Sequence, residues 1–456
     1  HGVLRLFMDC LLFVDYSRKV AFLVVKFSFL AIIISKGCRL MDILEELKYR
    51  GLIEQYSSEE EIKKLLKEPT VIYCGFDPSA SSLHLGNYVM ISLLKRLQLA
   101  GHKIIAVVGG ATGMIGDPSG KSKERNLQTK EKLFENTEAI HKQLSRFLDL
   151  TNPDKGELLN NYDWLGQMYL LDFLRDYGKY FSVNYMLSKE IVSSRLESGI
   201  SFTEFSYQIL QSVDFLYLYD HKNVRIQIGG NDQWGNLTSG LELIRKVKGE
   251  NVEAEALTAH LITRSDGKKF GKSEDGALFL DPALTSPYKL YQYFMNVTDE
   301  DAVKYLKVFT FLSIEEIEEI TKNHLANPGQ RIAQKALAFQ VTKDIHGEKE
   351  AEHAVNISEL LFKGEIQSLS EKDIEDVLGS LKVEVEDNIP LLDLLVKVGA
   401  AQSKTQARTF VKQNSISLNG EKVTDENAIL NKKAAFYGRY FVIKKGKKNY
   451  YLGEIK

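Results

Sequence analysis

The chain holds 456 residues, enough for about three domains at roughly 150 residues each. Hydrophobic residues make up 44% and charged residues 26%, which excludes collagen-like, disordered and multi-pass membrane classes. Lys plus Arg (59) nearly balance Asp plus Glu (61), and the net charge of −2 says nothing about a polyanionic partner until its distribution is counted. Cys10, Cys38 and Cys74 are too few and too scattered for a disulfide framework or a zinc site, so a reducing compartment and no structural metal are expected.

Residues 1–40 read differently from the rest. They begin at His1 and carry six bases against two acids, a net of +4. Val20 to Ile34 is apolar but broken by Lys26, and falls short of the roughly 20 apolar residues of a transmembrane helix. From Met41 a charged, amphipathic pattern starts at once. Residues 1–40 therefore read first as the product of an over-extended reading frame outside the native fold, with a cleaved targeting segment or a membrane anchor as alternatives.

Residues 43–67 have helical spacing (Ile43, Leu44, Leu47, then Ile62, Leu65, Leu66). Thr70 to Cys74 is a short β-rich run ending at Gly75, and Leu83 to Leu99 reads as a long helix stopped by Gly101. Ile104 to Val108 is an apolar strand ending in Gly109-Gly110. Strand, turn, helix, strand implies a βαβ unit and a parallel sheet. Val224 to Ile228 is another strand running into a glycine pair, Gly229-Gly230. Ligands of open α/β sheets sit at such strand ends, where glycine lets backbone approach them. Residues 286–360 are helical, 363–388 acidic and linker-like, and 390–456 a small third unit.

Four constellations could carry chemistry. Tyr73-Cys74-Gly75-Phe76-Asp77-Pro78 followed by His84-Leu85-Gly86-Asn87 lies between the first strand and the long helix, a natural anion site, although His-x-Gly-x alone reads as well as a satisfied loop. Gly109 to Arg125 is glycine-rich and ends in Gly120-Lys121-Ser122. The Walker spacing fails, because Ile115 stands where a glycine is needed. Lys121, Lys123 and Arg125 still suit a polyphosphate clamp, and a solvated basic loop reads equally well. Tyr207, Gln211 and Asp214, at offsets 0, 4 and 7, share one face of an apolar helix. Either that stripe faces water or it forms a pocket wall that reads a polar ligand. Lys268-Lys269-Phe270-Gly271-Lys272-Ser273 offers lysines that could reach a triphosphate, and alone reads as a solvated loop.

In this order the four resemble the bacterial tyrosyl-tRNA synthetase family of class I aminoacyl-tRNA synthetases, over essentially all of 41–456. His84-Leu85-Gly86-Asn87 stands where the class has HIGH, and Lys269-Phe270-Gly271-Lys272-Ser273 where it has KMSKS. Asn87 replaces the second histidine, Phe270 a methionine and Gly271 a serine. Gln227 to Gly235, with the Tyr73 and Tyr207 segments, is the specific part of the match. The resemblance implies a Rossmann-like parallel-sheet catalytic domain (41–265), the KFGKS loop with an α-helical anticodon-binding domain (266–362), a linker (363–388) and an α+β S4-like RNA-binding domain (389–456).

It also implies the chemistry. L-Tyrosine attacks ATP, with Mg2+, to give tyrosyl-adenylate and pyrophosphate, and tyrosyl then passes to tRNA(Tyr). Tyr73 and Asp214 would bond the phenol. Tyr207, Gln211 and Asp117 would hold the ammonium, with Gln233 near the carboxylate. Cys74, Gly75, Asp77, Gly230 and Asp232 would surround the nucleotide, Gly86 the adenine, and His84 and Asn87 the polyphosphate. Lys121, Arg125, Lys269, Lys272 and Ser273 would close on the pyrophosphate. A cytoplasmic homodimer joined through residues 160–200 is expected, without a membrane. Alternatives are a tryptophanyl-tRNA synthetase, which Tyr73 and Asp214 disfavour, and an RNA-binding cofactor on the same scaffold.

The charge then resolves. Residues 390–456 carry 13 bases and 5 acids, a net of +8, which leaves −14 on residues 41–389. An acidic body and a basic tail put RNA on the tail, where Lys404, Arg408 and Lys412 form a helical stripe.

Overall fold

The structure, a computed structural model, describes residues 41–456 apart from 121–126, 198, 266–269, 274–275 and 447–448, with the backbone alone at 272–273. Expectations about residues 1–40, Lys121, Arg125 and Lys269, and about the side chains of Lys272 and Ser273, thus lie outside the described residues. The chain divides into two compact units, 1–46 and 47–456. To the first belongs the start of a short helix, Ile43–Tyr49.

In the second unit, β1 (Ile53–Tyr56), β2 (Val71–Phe76), β3 (Lys103–Val108), β4 (Gly156–Asn160), β5 (Val224–Gly230) and β6 (Glu255–Ala259) form one sheet in the order β1-β6-β5-β2-β3-β4. All pairings are parallel except that of β1 with β6. From β2 the chain moves outward through β3 to β4, and from β5 it moves the other way to β6. The carboxyl ends of β2 and β5 therefore flank the topological switch point, where such sheets bind ligands.

Helices α1 (Leu85–Leu99) and α2 (Lys130–Phe147) contact β3, while α3 (Phe202–Lys222) and α4 (Trp234–Lys248) contact β5. Tyr73, Ile105 and Val107 alternate along their strands onto one face and join Phe215, Leu237 and Leu241 in the core. Strand β1 corrects the continuous helix expected over 43–67. Ile53–Tyr56 pairs antiparallel with β6, and only afterwards does Ser58 cap a new helix, Glu59–Leu65. Edge pairing outweighs local helical spacing here. Strands β4 and β6 have no counterpart in the sequence reading, because GELLN and EALTA show neither alternation nor a β-branched run.

Five helices follow: α5 (Pro287–Met295), α6 (Asp299–Phe309), α7 (Ile314–Ala326), α8 (Ile332–His346) and α9 (Glu348–Lys363). Two arginines tie them to the sheet unit through the carbonyls at the end of α6. Arg50 donates to Lys307 (3.1 Å) and Leu312 (2.8 Å), and Arg96 to Thr310 (2.6 Å). A helix C-terminus leaves carbonyls unpaired and favours such cations. Tyr88 adds a hydrogen bond to Asp344 and stacks on Phe309 at 6.1 Å.

The segment 363–388 is not a bare linker. It holds α10 (Glu371–Leu378) and β7 (Lys382–Val385). The tail adds α11 (Leu391–Lys397), α12 (Lys404–Lys412), β8 (Ile416–Leu418), β9 (Glu421–Lys422), β10 (Tyr440–Lys445) and β11 (Asn449–Ile455). Its sheet runs β9-β8-β10-β11-β7, so a strand from the supposed linker closes it, parallel to β11. Sequence distance hid that pairing. The hairpin expected at Asn419-Gly420 is present, joining β8 to β9. Ile357 and Ile366 pack with Tyr440, Val442 and Leu452, joining α9 to the tail.

Candidate active site

A cavity of about 600 Å³ opens at the switch point. Its walls are the ends of β2 and β5, the start of α1, one face of α3, and residues 259–263 at and after the end of β6. The three offset residues of α3, Tyr207, Gln211 and Asp214, all line it, so the polar stripe is a pocket wall.

At the closed end, Asp214 is buried. Trp164 donates Nε1–H to one carboxylate oxygen (2.7 Å) and Asn161 donates Nδ2–H to the other (2.8 Å). Trp164 is itself stacked on Tyr217 at 4.6 Å, and Asn161 is fixed by the Ala111 amide (2.8 Å). Burial pushes the Asp214 carboxyl up to about 7, the two donors restrain the rise, and Asp77 adds to it. Beside it, burial pushes the Tyr73 phenol well above its usual range, with Asp214 adding to the effect. Tyr73 Oη and Gln211 Oε1 are buried with no hydrogen-bond partner among the described residues. Buried polar atoms of this kind are costly unless a ligand meets them.

One step outward, Asp77 accepts from Tyr207 Oη (2.8 Å) and Thr112 Oγ1 (2.8 Å). The carboxylate assigned above to the nucleotide is therefore tied to the hydroxyl assigned to the ammonium. Asp117 accepts from Gln233 Nε2 (2.6 Å), and Gln233 Oε1 accepts from Asn236 (3.1 Å). Asp117, Tyr207, Gln211 and Gln233 all line the cavity.

The open end is built differently. His84 caps α1: its Nδ1 accepts from the Asn87 amide (3.3 Å), while Asn87 Oδ1 accepts from the His84 amide (3.0 Å). The pair forms a capping box, and the accepting Nδ1 leaves the neutral ring its proton on Nε2. Asn87 is thus engaged in holding the helix start. Gly86, Gly75, Gly230 and Asp232 line this end, and the Asp232 carboxylate lies against Gly230. Cys74 is buried in β2, which pushes its thiol up to about 12.

The two signatures meet here. Leu85 N donates to Leu278 O (2.8 Å), and Leu278 N to Gly271 O (2.9 Å). The stripe on α12 is less open than its spacing suggests. Lys404 pairs with Asp393 (2.5 Å), and Arg408 (3.4 Å) and Lys412 (3.8 Å) with Glu426. The sequence reading missed Asn161, Trp164, Thr112 and the 259–263 wall. The first was within reach: Asn160-Asn161 follows the apolar Leu158-Leu159 at a strand end.

A parallel sheet with a ligand cavity at its switch point, a helix N-terminus on one side and a glycine-rich strand end on the other, fits a nucleotide-using α/β enzyme. Residues 64–363 match the family model of the class I tRNA synthetases (W and Y), and the chain belongs to that family. Residues 365–453 match the model of the SYY-like C-terminal domain of tyrosine–tRNA ligases, which includes α10 and β7. The chain is 52% identical over 418 residues to the tyrosine–tRNA ligase of Bacillus caldotenax, covering 90% of this chain and 99% of that one. It is 51% identical over 418 residues to that of Geobacillus stearothermophilus, with the same coverage. Among solved structures it resembles a C-terminally truncated mitochondrial tyrosyl-tRNA synthetase of Aspergillus nidulans, with a TM-score of 0.64 and 30% identity over 73% of this chain and 97% of that one.

Proposed function

We propose that the chain activates L-tyrosine with ATP and transfers the tyrosyl group to tRNA(Tyr). The observation that carries this reading is the closed end of the cavity. There a buried carboxylate with both oxygens already oriented stands beside an unpaired phenol. Such a pair suits a ligand hydroxyl that both donates and accepts, and an indole N–H can only donate. The selectivity follows from loss rather than gain: a ligand without the hydroxyl leaves both groups unpaired, and tyrosine against phenylalanine is the standard case.

In this reading Asp214 and Tyr73 take the phenol, Tyr207, Gln211 and Asp117 the ammonium, and Gln233 the carboxylate side. ATP lies over Gly75, Gly86, Gly230 and Asp232, with His84 and Asn87 at its phosphates. Mg2+ enters as part of the substrate, on the ATP phosphates. The tyrosine carboxylate is already a nucleophile, so it attacks the α-phosphorus without a general base. Positioning and charge stabilisation supply the rate, with Lys121, Arg125, Lys269, Lys272 and Ser273 on the leaving pyrophosphate. Domain roles follow the same reading: catalysis in 41–265, anticodon contact in the helical unit, and RNA contact in the basic tail through Lys404, Arg408 and Lys412.

The chain acts as a homodimer in the cytoplasm. Supporting the dimer, Tyr169, Leu170, Leu171 and Phe202 are each more than 70% exposed in or beside the expected interface. No helix among the described residues is long and apolar enough to cross a membrane.

Pyrophosphate exchange with tyrosine and with tryptophan tests the central claim. Exchange with tyrosine alone is expected. Exchange with tryptophan alone, or with neither, overturns it.

A further inference from the structure

Phe270 is the second residue of the Lys269-Phe270-Gly271-Lys272-Ser273 segment, yet its ring is buried. It lies in an aromatic cluster supplied by the helical unit. Phe309 stacks on it at 4.8 Å with 15° between the planes, and Tyr305 meets it edge-on at 5.0 Å. Tyr293 and Phe294 close the cluster at 6.0 and 6.4 Å. The next residue is held as well: Gly271 N–H donates to the Tyr293 hydroxyl at 3.0 Å.

The glycine sits close against the other signature. A Cβ on Gly271 would come within 3.4 Å of both Gly86 N and Leu85 Cβ. The stack also continues past Phe270, from Phe309 to Tyr88 at 6.1 Å, and Tyr88 belongs to α1, the helix that His84 caps. Phe270, Gly271 and Gly86 are therefore packed into one assembly whose rings come from α1, α5 and α6.

We propose that Phe270 and Tyr293 are positioning residues for the adenylation step. Phe270 plugs the segment into the helical unit, and Tyr293 sets Gly271 against Gly86. Lys269 and Lys272 flank this pair in the sequence, so an anchor here acts on both through the backbone. The inference rests on the reading that those lysines stabilise the leaving pyrophosphate. The physical reason is entropic. A lysine has a long flexible stem, and a backbone anchor one residue away removes much of the remaining freedom before the phosphates arrive. An apolar anchor beside the cations does this without adding a charge that would compete for them. Tyrosine recognition is assigned to other elements, β2, α3 and the end of β4, so the two functions are separable.

The test uses three single variants of the full chain: Tyr293→Phe, Phe270→Leu and Phe270→Met. Tyr293→Phe removes only the hydroxyl that accepts from Gly271. Phe270→Leu keeps the site apolar but removes the flat ring. The longer, adaptable Met of Phe270→Met refills the space. Pyrophosphate exchange is followed for kcat and for the KM values of tyrosine and pyrophosphate, with thermal unfolding in parallel. We expect Tyr293→Phe and Phe270→Leu to lower kcat about tenfold, the effect of one net hydrogen bond or a comparable packing loss. Tyrosine KM should stay within about twofold and unfolding should remain cooperative, with Phe270→Met recovering most of the rate. Unchanged kcat in both Tyr293→Phe and Phe270→Leu, or a rise in tyrosine KM matching the loss of rate, would overturn the proposal. Lys272→Ala and the unmodified chain separate this from the underlying reading. Absence of tyrosine exchange in the unmodified chain, or full exchange in Lys272→Ala, counts against the assigned function. A slow Lys272→Ala with normal Tyr293→Phe and Phe270→Leu counts against the positioning role alone.

Discussion

The two ends of the cavity are built on opposite plans. At the amino-acid end, polar side chains hold one another: Trp164 and Asn161 orient Asp214, Thr112 and Tyr207 orient Asp77, and Gln233 orients Asp117. At the nucleotide end, backbone and helix start do the work, with glycines on the wall and His84 and Asn87 capping α1. The first plan gives a rigid reader of one small molecule. The second gives a yielding surface for phosphates that must arrive, react and leave. A substitution at the first end disturbs groups that cannot move, whereas at the second its neighbours can give way.

Paired substitutions should expose this contrast. Gly109→Ala is the most damaging expected change, because its Cβ would lie 2.0 Å from Asp77 Oδ1 and 2.3 Å from Thr112 Oγ1. Both atoms are locked, so Asp77 must shift, and kcat/KM for tyrosine in pyrophosphate exchange should fall about a hundredfold or more. Activity near that of the parent would show that the network is softer than its bonds imply. Asp214→Asn comes next. One of its two oxygens becomes an NH2 facing Trp164 or Asn161, and a charge-assisted bond to the phenol is lost. The preference for tyrosine over phenylalanine should drop about thirtyfold, from roughly 2 kcal/mol, with the fold intact by circular dichroism.

Asn161→Ala removes one of the two donors and leaves the reader in place. Tyrosine KM should rise about tenfold with little change in kcat. An equal loss in ATP affinity would mean that the two ends are not separate. Gly86→Ala is the matching change at the open end. Its Cβ would meet the His84 ring at 2.9 Å, a half of the capping box that can rotate aside. We expect less than about a fivefold rise in the KM for ATP, the scale of a weakened N-cap. A loss as large as that of Gly109→Ala would erase the contrast.

Much of this arrangement was legible in the sequence, and the gaps have physical causes. Helix α3 announced itself by period, and its offset polar residues do line the cavity. The β2–α1–β3 unit was legible because apolar strands end in glycine. Strand β1 was not, since its pairing with β6 lies some 200 residues away in sequence and its local pattern is helical. Strand β7 was hidden for the same reason, its acidic surroundings resembling a connection. Trp164 and Asn161 escaped because they act through Asp214 and carry no motif of their own. The cations of α12 were read from spacing and from the tail's excess of bases, which cannot show that Asp393 and Glu426 stand beside them.

The raised Asp214 carboxyl has a calorimetric consequence. With the carboxyl pushed up to about 7, the free protein at neutral pH holds part of a proton there. A phenol that donates to this carboxylate favours the ionised form, so tyrosine binding expels that proton to the buffer. The heat of binding at pH 7 should then depend on the buffer's own ionisation enthalpy, being larger in apparent magnitude in Tris, whose protonation evolves much heat, than in phosphate if binding is exothermic. At pH 8, where the carboxyl is mostly ionised and the ligand's ammonium still largely protonated, the difference between the buffers should be much smaller. With Asp214→Asn the difference at pH 7 should vanish, which makes titration calorimetry a direct counter of the proton this site gives up.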